Sequence, residues 1–407
     1  MTDDAVRRSL AEVLAGERLR IVAGLIRRTG DWDLAEDCFA DAVERALQRW
    51  PDDGVPDNPA AWLTTVATRR AIDTFRRAAT ERTKLAEVAL TEELDRQAHD
   101  PDTWPLTDDR LRLVFTCCHP ALPLDARVAL TLKVVSGLST PAIARTFLTA
   151  EATMSQRLLR AKKKIANAGI PYRVPTPDLL PERLDGVLAV VYLVFTEGYA
   201  ATEPELADEA IRLGRLLVEL MPDSDEARAL LALMLVQHAR RDARLVDGEL
   251  ITLEQQDRSR WDAAATEEGL VLLAGPTQER ATYRLQAELA AMHARAAAPE
   301  DTDWQAIVTL YDELLDLVPS PVVALNRAVA VGMCDGPLAG LAAIDGVADD
   351  PRLATHYLVH AARADLLARA GRPQEAVAAL DRSIELAPSE RERQQLGRRR
   401  EEIVGGH

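Results

Sequence analysis

The chain has 407 residues, of which 47% are hydrophobic and only 4% aromatic, and its formal net charge is −16. This length exceeds one ordinary core and predicts two to four domains. Ala, Leu and Arg dominate, which favours an all-α protein. No apolar run of about eighteen residues and no basic-then-apolar leader pattern is found, so we expect a soluble, cytoplasmic protein without a membrane partner. Four cysteines are too few for a disulfide framework.

The charge is distributed unevenly along the chain. Residues 1–173 contain 26 Lys and Arg against 25 Asp and Glu, whereas residues 174–407 contain 23 against 40. Residues 108–173 alone contain 11 basic and 4 acidic residues, and all five lysines precede residue 173. Because phosphate binding is mainly electrostatic, a polyanion is expected to bind the first half despite the acidic total.

Helical periodicity predicts four segments. Residues 1–84 form a helical unit with helices over about 6–50 and 60–77, and the loop between them ends in Asn58 as N-cap and Pro59 as the first helical residue. Residues 85–107 are an acidic linker, residues 108–170 form a second compact helical unit, and residues 178–407 form an acidic helical extension.

The helix over 60–77 has a face suited to unpaired DNA. That face contains Trp62, Arg69, Arg70, Asp73, Arg76 and Arg77. An aromatic ring can stack on unpaired bases while guanidinium groups hold the backbone, and the loop with Asn58 could pocket an extruded base. For Trp62 alone, a half-buried core position is an equally good interpretation.

A helix-turn-helix pattern follows in the second unit. Ser139 or Thr140 can cap the first helix, with Pro141 in its first turn. The second helix is predicted to bury Met154, Leu158, Ala161 and Ile165. Its opposite side holds Thr153, Gln156, Arg157, Arg160, Lys163 and Lys164. Arg and Gln can read base edges, whereas the run Lys162 to Lys164 suits phosphates. The alternative is a solvated basic face on a structural helix.

Three further features have more than one interpretation. Cys117-Cys118-His119-Pro120 resembles a metal site but lacks a second ligand pair, which favours partly buried thiols at a helix end. The stretch over residues 257–262 is either a ligand site or, as we favour, a salt-bridge network. Near the C-terminus, Asp335-Gly336-Pro337 recurs 36 residues later as Gly371-Arg372-Pro373. That offset is close to a tetratricopeptide period, although two unrelated helical hairpins fit as well.

In order and spacing, three patterns of residues 1–170 resemble the extracytoplasmic-function group of the sigma-70 family. One is similar to its polymerase-clamp-binding helix, at Ala35-Glu36-Asp37, Asp41, Arg45 and Ala46. Another is similar to its −10-element helix, at Trp62-Leu63, Val66-Ala67, Asp73 and Arg76-Arg77. The third is similar to its −35-reading helix-turn-helix, at Leu138-Ser139, Ile143-Ala144, Thr153, Arg157-Leu158, Arg160-Ala161 and Lys163-Lys164. The chain departs from the family at Leu148, in place of a turn glycine, and at Thr68, in place of a frequent arginine.

The resemblance implies an alternative sigma factor with core RNA polymerase and promoter DNA as partners. It implies polymerase contacts for Glu36, Asp37, Asp41 and Arg45. It implies −10 contacts for Asn58, Trp62, Arg69, Arg70, Asp73, Arg76 and Arg77. It implies −35 contacts for Thr149, Glu151, Thr153, Ser155, Gln156, Arg157, Arg160, Lys163 and Lys164. No catalytic residue, cofactor or metal is required, because the polymerase supplies the chemistry.

The second half resembles the tetratricopeptide-like extension of one subgroup of these sigma factors. The resemblance lies at Leu180-Pro181-Glu182-Arg183-Leu184-Asp185, Phe195-Thr196-Glu197-Gly198-Tyr199 and residues 257–262. It implies that the extension regulates or supports promoter binding. Because the extension is acidic, it could also contact the basic helix-turn-helix within the same chain and inhibit it.

Two other classes of protein compete with this interpretation. A one-component regulator would combine the helix-turn-helix with a helical sensor domain, and it would not associate with core polymerase. An enzyme would require convergence of Glu197, His238, Glu254, Asp257 and Asp262. We do not favour an enzyme, because no nucleophile–base spacing or glycine-rich phosphate loop is present.

Overall fold

The computed structural model describes residues 3–81, 108–147, 149–201, 204–246, 249–275 and 280–405. Within these ranges the chain is helical apart from one short hairpin, β1 (Leu245–Val246) and β2 (Glu249–Leu250), so the all-α prediction is confirmed. The chain forms two compact units, residues 1–209 and 210–407. None of the helices in the described ranges is both long and apolar enough to cross a membrane.

The first unit begins with four helices: α1 (Asp3–Gly16), α2 (Arg18–Thr29), α3 (Trp32–Asp53) and α4 (Pro59–Glu81). The helical stretch expected over 6–50 therefore contains three helices. Gly30 ends α2 in a left-handed conformation (φ 66°), and Asp31 caps α3 by accepting hydrogen bonds from the backbone N–H groups of Asp33 and Leu34. As predicted, Asn58 caps α4, where its Oδ1 accepts from Ala61 N at 2.9 Å.

The helix-turn-helix region contains four more helices: α5 (Asp109–Cys117), α6 (Leu124–Leu130), α7 (Thr140–Thr146) and α8 (Glu151–Asn167). A π-helical turn, Thr131–Val135, continues α6. The predicted N-cap of α7 is confirmed, since Ser139 Oγ accepts from Ala142 N. Helix α8 packs against α6 and α7. The linker predicted over 85–107 and the turn residue Leu148 lie outside the described residues.

A ninth helix, α9 (Leu180–Ala201), completes the first unit by packing against α5 and α6. Arg183 donates to the backbone carbonyl of Phe115 at 2.8 Å, and Val187 and Leu188 are fully buried. The first helix of the region that we assigned to the extension therefore covers the helix-turn-helix unit.

The second unit is formed by successively packed helices. They are the end of α10 (Pro204–Leu220), α11 (Asp225–His238), α12 (Arg241–Arg244), α13 (Ala263–Ala274), α14 (Thr282–Arg295), α15 (Trp304–Leu317), α16 (Pro321–Cys334), α17 (Pro337–Ala348), α18 (Tyr357–Arg369), α19 (Pro373–Leu386) and α20 (Glu390–Gly405). From α14 onward each helix packs against the next. The repeated tripeptides begin α17 and α19, and each places its proline at the first helical residue.

The hairpin of α16 and α17 is unusually close. A Cβ atom at Gly340 would lie 2.6 Å from the Cα atom of Gly332 and 2.8 Å from a Leu366 methyl carbon. Two facing glycines let the helix backbones approach until Leu366 fills the remaining space. The second unit is thus built on apolar joints that have no room for larger side chains.

Candidate nucleic-acid interface

Helix α8 has the two faces that its sequence predicts. Met154, Leu158, Ala161 and Ile165 are buried, and this stripe docks α8 onto the helices before it. Thr153, Ser155, Gln156, Arg160, Lys163 and Lys164 are exposed. The exposed side carries hydroxyl, amide and cationic groups, as a helix that enters a DNA groove requires.

Arg157 differs from the other predicted −35 residues because it has partners within its own domain. Its Nε lies 3.3 Å from a carboxylate oxygen of Asp125, and its guanidinium lies 5.5 Å from the centre of the Phe147 ring. Thr149 and Glu151 lie at the start of α8, where Thr149 N donates to Ala144 O at 3.0 Å. These contacts fix the turn of the motif and the direction of the Arg157 side chain.

The predicted −10 face of α4 is divided between exposed and paired residues. Arg69 and Asp73 are exposed, while Arg70 donates to Asp41 at 2.6 Å, a hydrogen bond that raises the pKa of Arg70. Trp62 is half-buried and packs edge-on against the buried Trp50, with ring centroids 5.4 Å apart. The side chains of Arg76 and Arg77 lie outside the described residues. The structure thus gives Trp62 a packing role at α3.

The predicted polymerase-binding residues occupy two environments on α3. Asp37 and Arg45 are exposed. Asp41 pairs with Arg70 of α4, and Glu36 accepts a hydrogen bond from Lys162 of α8 at 2.9 Å. Glu36 therefore joins the helix that we expect to bind polymerase to the helix that we expect to read DNA.

Lys162 corrects one sequence interpretation. The lysine run was assigned to phosphates, but the ammonium of Lys162 lies 2.6 Å from Asp33 and 2.9 Å from Glu36, and its side chain is only 12% exposed. Burial alone would lower its pKa, but the two carboxylates outweigh burial, so the pKa of Lys162 is raised and the charge retained. Lys163 and Lys164 remain on the exposed face.

Further polar contacts surround this ion pair, and no sequence pattern pointed to them. Arg18 lies 3.8 Å from Glu36 and donates to the carbonyl of Val134 at 3.0 Å. Gly137 allows this approach, because a Cβ atom there would lie 2.8 Å from the Arg18 guanidinium. These residues join α2 to the turn before α7.

Farther along the same contact, Arg27 pairs with Asp109 at 2.9 Å. The hydroxyl of Tyr172 lies within hydrogen-bond reach of the carbonyls of Ala23 (3.0 Å) and Asp109 (3.3 Å), and its ring packs edge-on against Trp32. The helices on the two sides of residues 82–107 therefore form one closed contact, in which ion pairs and hydrogen bonds accompany the packing of α2 against α5.

The thiols of Cys117 and Cys118 lie at the end of α5, as expected, and are more deeply buried than the partial burial that the sequence predicted. Burial raises the pKa of both, that of Cys118 to about 11. In the ranges described above, no group of three His, Cys, Asp or Glu side chains has a metal-binding arrangement.

Several residues proposed for an enzyme site have structural partners of their own. Glu254 pairs with Arg369 at 2.7 Å, and His238 is buried in α11. Asp257 and Asp262 cap helical turns by accepting from the backbone N–H groups of Ser259 and Ala265. Within residues 257–262, Asp262 pairs with Arg241 at 3.8 Å, as the favoured salt-bridge network requires, whereas Arg258 donates to carbonyl oxygens instead of pairing with a carboxylate.

Comparison with known families agrees with this geometry. Residues 15–81 match Sigma-70 region 2, residues 112–165 match Sigma-70 region 4, and residues 183–277 match a family of unknown function, DUF6596. The first two matches cover the α2–α4 and α5–α8 segments in the expected order.

Relatives extend the comparison. The chain is 43% identical over 386 residues to "Uncharacterized protein R00370" of Rhizobium meliloti (strain 1021), covering 92% of this chain and 91% of that protein. It is 30% identical over 192 residues to "Probable ECF RNA polymerase sigma factor SigI" of Mycobacterium tuberculosis, covering 45% of this chain and 66% of the relative. No solved structure matches the chain. The chain therefore contains Sigma-70 region 2 and region 4 domains in that order, is similar over part of its length to an extracytoplasmic-function sigma factor, and carries a long helical C-terminal extension.

Proposed function

We propose that this chain is an alternative sigma factor that binds core RNA polymerase and directs initiation at promoters with −35 and −10 elements. The observation that carries the proposal is the exposed basic face of α8, in a helix-turn-helix that follows a region 2 domain along one chain. The family supplies the activity, and the contacts of the described residues supply the assignments below.

The −35 element is proposed to lie against α8. Arg160 and Gln156 are exposed and can form paired hydrogen bonds with base edges, whereas Lys163 and Lys164 suit phosphates. Arg157 would contribute by holding the motif in shape through Asp125 and Phe147. Each phosphate contact would make binding more sensitive to salt.

The −10 element is proposed to lie along α4 and the cleft beside its first half. The cleft has a volume of about 510 Å³, and its walls include Asn58, Thr64 and Thr68 of α4 and Arg28 of α2. Hydroxyl and amide groups beside a guanidinium can hold an extruded base and its phosphate. Arg69, which is exposed on α4, would hold the neighbouring backbone.

Polymerase binding is proposed to require opening of the closed contact. Asp37 and Arg45 are accessible on α3, but Glu36 is held by Lys162 of α8. Promoter elements lie too far apart to be read by two domains in mutual contact, so separation of α3 and α8 would free Glu36 for polymerase and allow the exposed face of α8 to reach the −35 element. Tethering of both domains to polymerase would then combine two weak DNA contacts into useful affinity.

The extension is proposed to support the helix-turn-helix domain as well as to regulate it. Helix α9 covers α5 and α6, where Arg183 donates to Phe115 O and Val187 is fully buried. Removal of α9 would expose this apolar surface. The acidic composition of residues 174–407 remains the reason to test self-inhibition.

Reconstitution with core polymerase tests the proposal. Purified chain should bind core enzyme and direct initiation at new positions on genomic DNA, mapped by transcript 5′ ends. The double variant Arg160→Gln, Lys163→Gln should reduce initiation at least tenfold while core binding is unchanged, since α8 contacts DNA. Arg173→Gln, a loss of an exposed charge beyond α8, is the matched control. A chain that binds promoter DNA without core enzyme and never joins it would be a one-component regulator instead.

Two shortened chains separate support from self-inhibition. A chain that ends after residue 201 keeps α9, and one that ends after residue 172 lacks it. If the extension only supports the domain, the longer of the two keeps promoter activity and the shorter loses it. Promoter activity of the longer one above that of the full chain, with DNA and polymerase held constant, would establish self-inhibition. Weaker promoter activity in both would exclude it.

A further inference from the structure

The second unit encloses a cavity of about 880 Å³, a volume within the range of small-molecule sites. Its walls come from the segment after β2, from α14 to α16, and from α18 and α20. Neither promoter recognition nor polymerase binding uses it. By their mutual contacts, the lining residues fall into a group of paired charges, a group around Arg258, and a set of apolar side chains, called here the first end, the other end and the middle.

At one end, the charged residues pair with one another. Arg369 contacts Glu254 and Asp365, both at 2.7 Å. In the same region, Arg399 lies 3.2 Å from Asp365, and Arg398 pairs with Glu249 at 2.7 Å. Each of these arginines has a carboxylate partner, so this end has no unmatched positive charge to attract a ligand.

At the other end, Arg258 is a cation held only by neutral groups. Its Nη1 donates to the carbonyls of His293 (2.7 Å) and Ala296, and its guanidinium lies 4.9 Å from the centre of the Trp261 ring. Its Nε is buried without a hydrogen-bond partner. Within the part of the chain that the structure describes, Arg258 pairs with no carboxylate. Arg258 is half-buried, so its charge is only partly solvated and an anion beside it would be favourable.

The residues around Arg258 add hydrogen-bond donors to the same end. Thr302 is only 6% exposed, lines the cavity, and its hydroxyl is buried without a partner. Burial, and then the charges of Arg240 and Arg258, lower the pKa of His293 to about 4, so its ring is neutral at pH 7. The electrostatic potential around Arg258 is therefore positive. Among the described residues that line the cavity, the carboxylates are all paired with arginines at the first end.

The middle of the cavity is apolar. Trp304, Ile307 and Tyr311 line it from one face of α15, and Val329 and Met333 line it from α16. Trp304 is fixed edge-on against the His293 ring, with centroids 5.4 Å apart. A flat or branched hydrocarbon body would contact these side chains.

We propose that this cavity binds a small organic anion, an acid with an apolar body, whose acidic group lies at Arg258 and Thr302 and whose body packs against Trp304, Ile307 and Met333. The acid group would supply the charge and the acceptor oxygens that this end of the cavity lacks. The apolar body would displace water from the α15 and α16 faces. Such a ligand would stabilise the second unit, and the extension would then respond to the concentration of the ligand.

Two fluorescent probes of the same shape test the proposal on the full chain. 8-Anilinonaphthalene-1-sulfonate carries an acid group, and N-phenyl-1-naphthylamine is its uncharged counterpart. We expect one saturable site per chain for the anionic probe. Arg258→Gln should weaken binding of the anionic probe by at least about tenfold, the usual loss for a charge-assisted hydrogen bond, and that of the neutral probe by less than about threefold.

Two further variants keep the test decisive if Arg258→Gln disturbs the fold. Thr302→Val removes an unpaired hydroxyl at constant shape and should weaken only the anionic probe. Val329→Trp should fill the cavity and abolish binding of both probes. Arg382→Gln, which removes an exposed partner of Glu385 on α19, is the control and should change neither. Thermal unfolding of each variant shows whether it is folded.

Equal weakening of both probes by Arg258→Gln and by Thr302→Val would overturn the assignment of an acid group. Unchanged binding of the anionic probe to Val329→Trp would place the probe outside the cavity and overturn the site itself. The experiment needs neither polymerase nor DNA, so its failure would leave the proposed sigma-factor function untouched.

Discussion

Two joints in this molecule are built from opposite chemistry. The contact of α3 with α8 is made of charged groups, chiefly the mostly buried Lys162 and Glu36 with the exposed Asp33. The hairpin of α16 and α17 is made of facing glycines closed by the Leu366 side chain. A polar contact can exchange its partners for water or for another macromolecule at small net cost, whereas a close-packed apolar joint cannot. The comparison suggests that the first joint opens in function and that the second is permanent.

The largest effect should follow from overpacking the permanent joint. Gly340→Val would place side-chain atoms within the space of Gly332 and Leu366, and we expect a loss of about 3–4 kcal/mol in the free energy of unfolding of the second unit. Urea unfolding followed by circular dichroism measures it. Gly346→Ala on the same helix is the control, because nothing lies within 4 Å of its added Cβ atom. Equal stability of the two variants would refute the close packing.

Acidification should also destabilise the second unit, through His293. Its pKa is about 4 in the folded chain against 6.5 for the free group, so the unfolded chain takes up a proton that the folded chain does not. Stability should therefore fall by about 2 kcal/mol as the pH decreases from 7 to 5. Urea unfolding at both pH values, in the native chain and in His293→Gln, isolates this contribution. Identical pH dependence in the two proteins would contradict it.

A smaller effect is expected at the polar joint from Tyr172→Phe. The change removes the hydroxyl that reaches Ala23 O and Asp109 O, and we expect a loss of about 1 kcal/mol. Tyr311→Phe makes the same chemical change where no described residue hydrogen-bonds the hydroxyl, so it should have little effect on unfolding. Similar losses for both variants would mean that the Tyr172 hydrogen bonds contribute nothing.

Lys162→Gln should also weaken the polar joint, by about 1–2 kcal/mol, because the Lys162 and Glu36 side chains are only 12% and 17% exposed and the pair is not a surface ion pair. In this variant the guanidinium of Arg18 would remain 3.8 Å from the Glu36 carboxylate, so Glu36 would still have a cation nearby. The same variant should bind core polymerase more tightly than the native chain, because the contact that holds Glu36 is weakened. Lys163→Gln, an exposed neighbour, should leave core binding unchanged.

Whether a feature of the fold or of the site could be predicted depends on how far apart in the sequence the contacting residues are. The buried stripe of α8 and the caps at Asn58 and Ser139 follow from side chains within one or two helical turns, and the structure confirms each of them. The helical periodicity over 6–50 did not show where one helix ends and the next begins, because it continues through Gly30 and Asp31, whose capping roles divide the stretch.

The closed contact was not predictable, because Lys162 and Glu36 are 126 residues apart in the sequence. A local pattern cannot indicate that two such distant residues are in contact. The same holds for Arg258. Its carbonyl partners on His293 and Ala296 lie 35 and 38 residues away, so an arginine between two aspartates was interpreted as part of a salt-bridge network. In both cases the sequence identified the charged residues, but their partners are determined by tertiary contacts.

The separation of α3 and α8 in solution and on core polymerase tests the central claim most directly. Spin labels at Gln48→Cys on α3 and Asn167→Cys on α8, with Cys334→Ser to remove the half-exposed native thiol, would report this distance by double electron–electron resonance. We predict one short distance in the free chain, a mixture in Lys162→Gln, and a single long distance when core polymerase is bound. A short distance that persists in the polymerase complex would contradict the account.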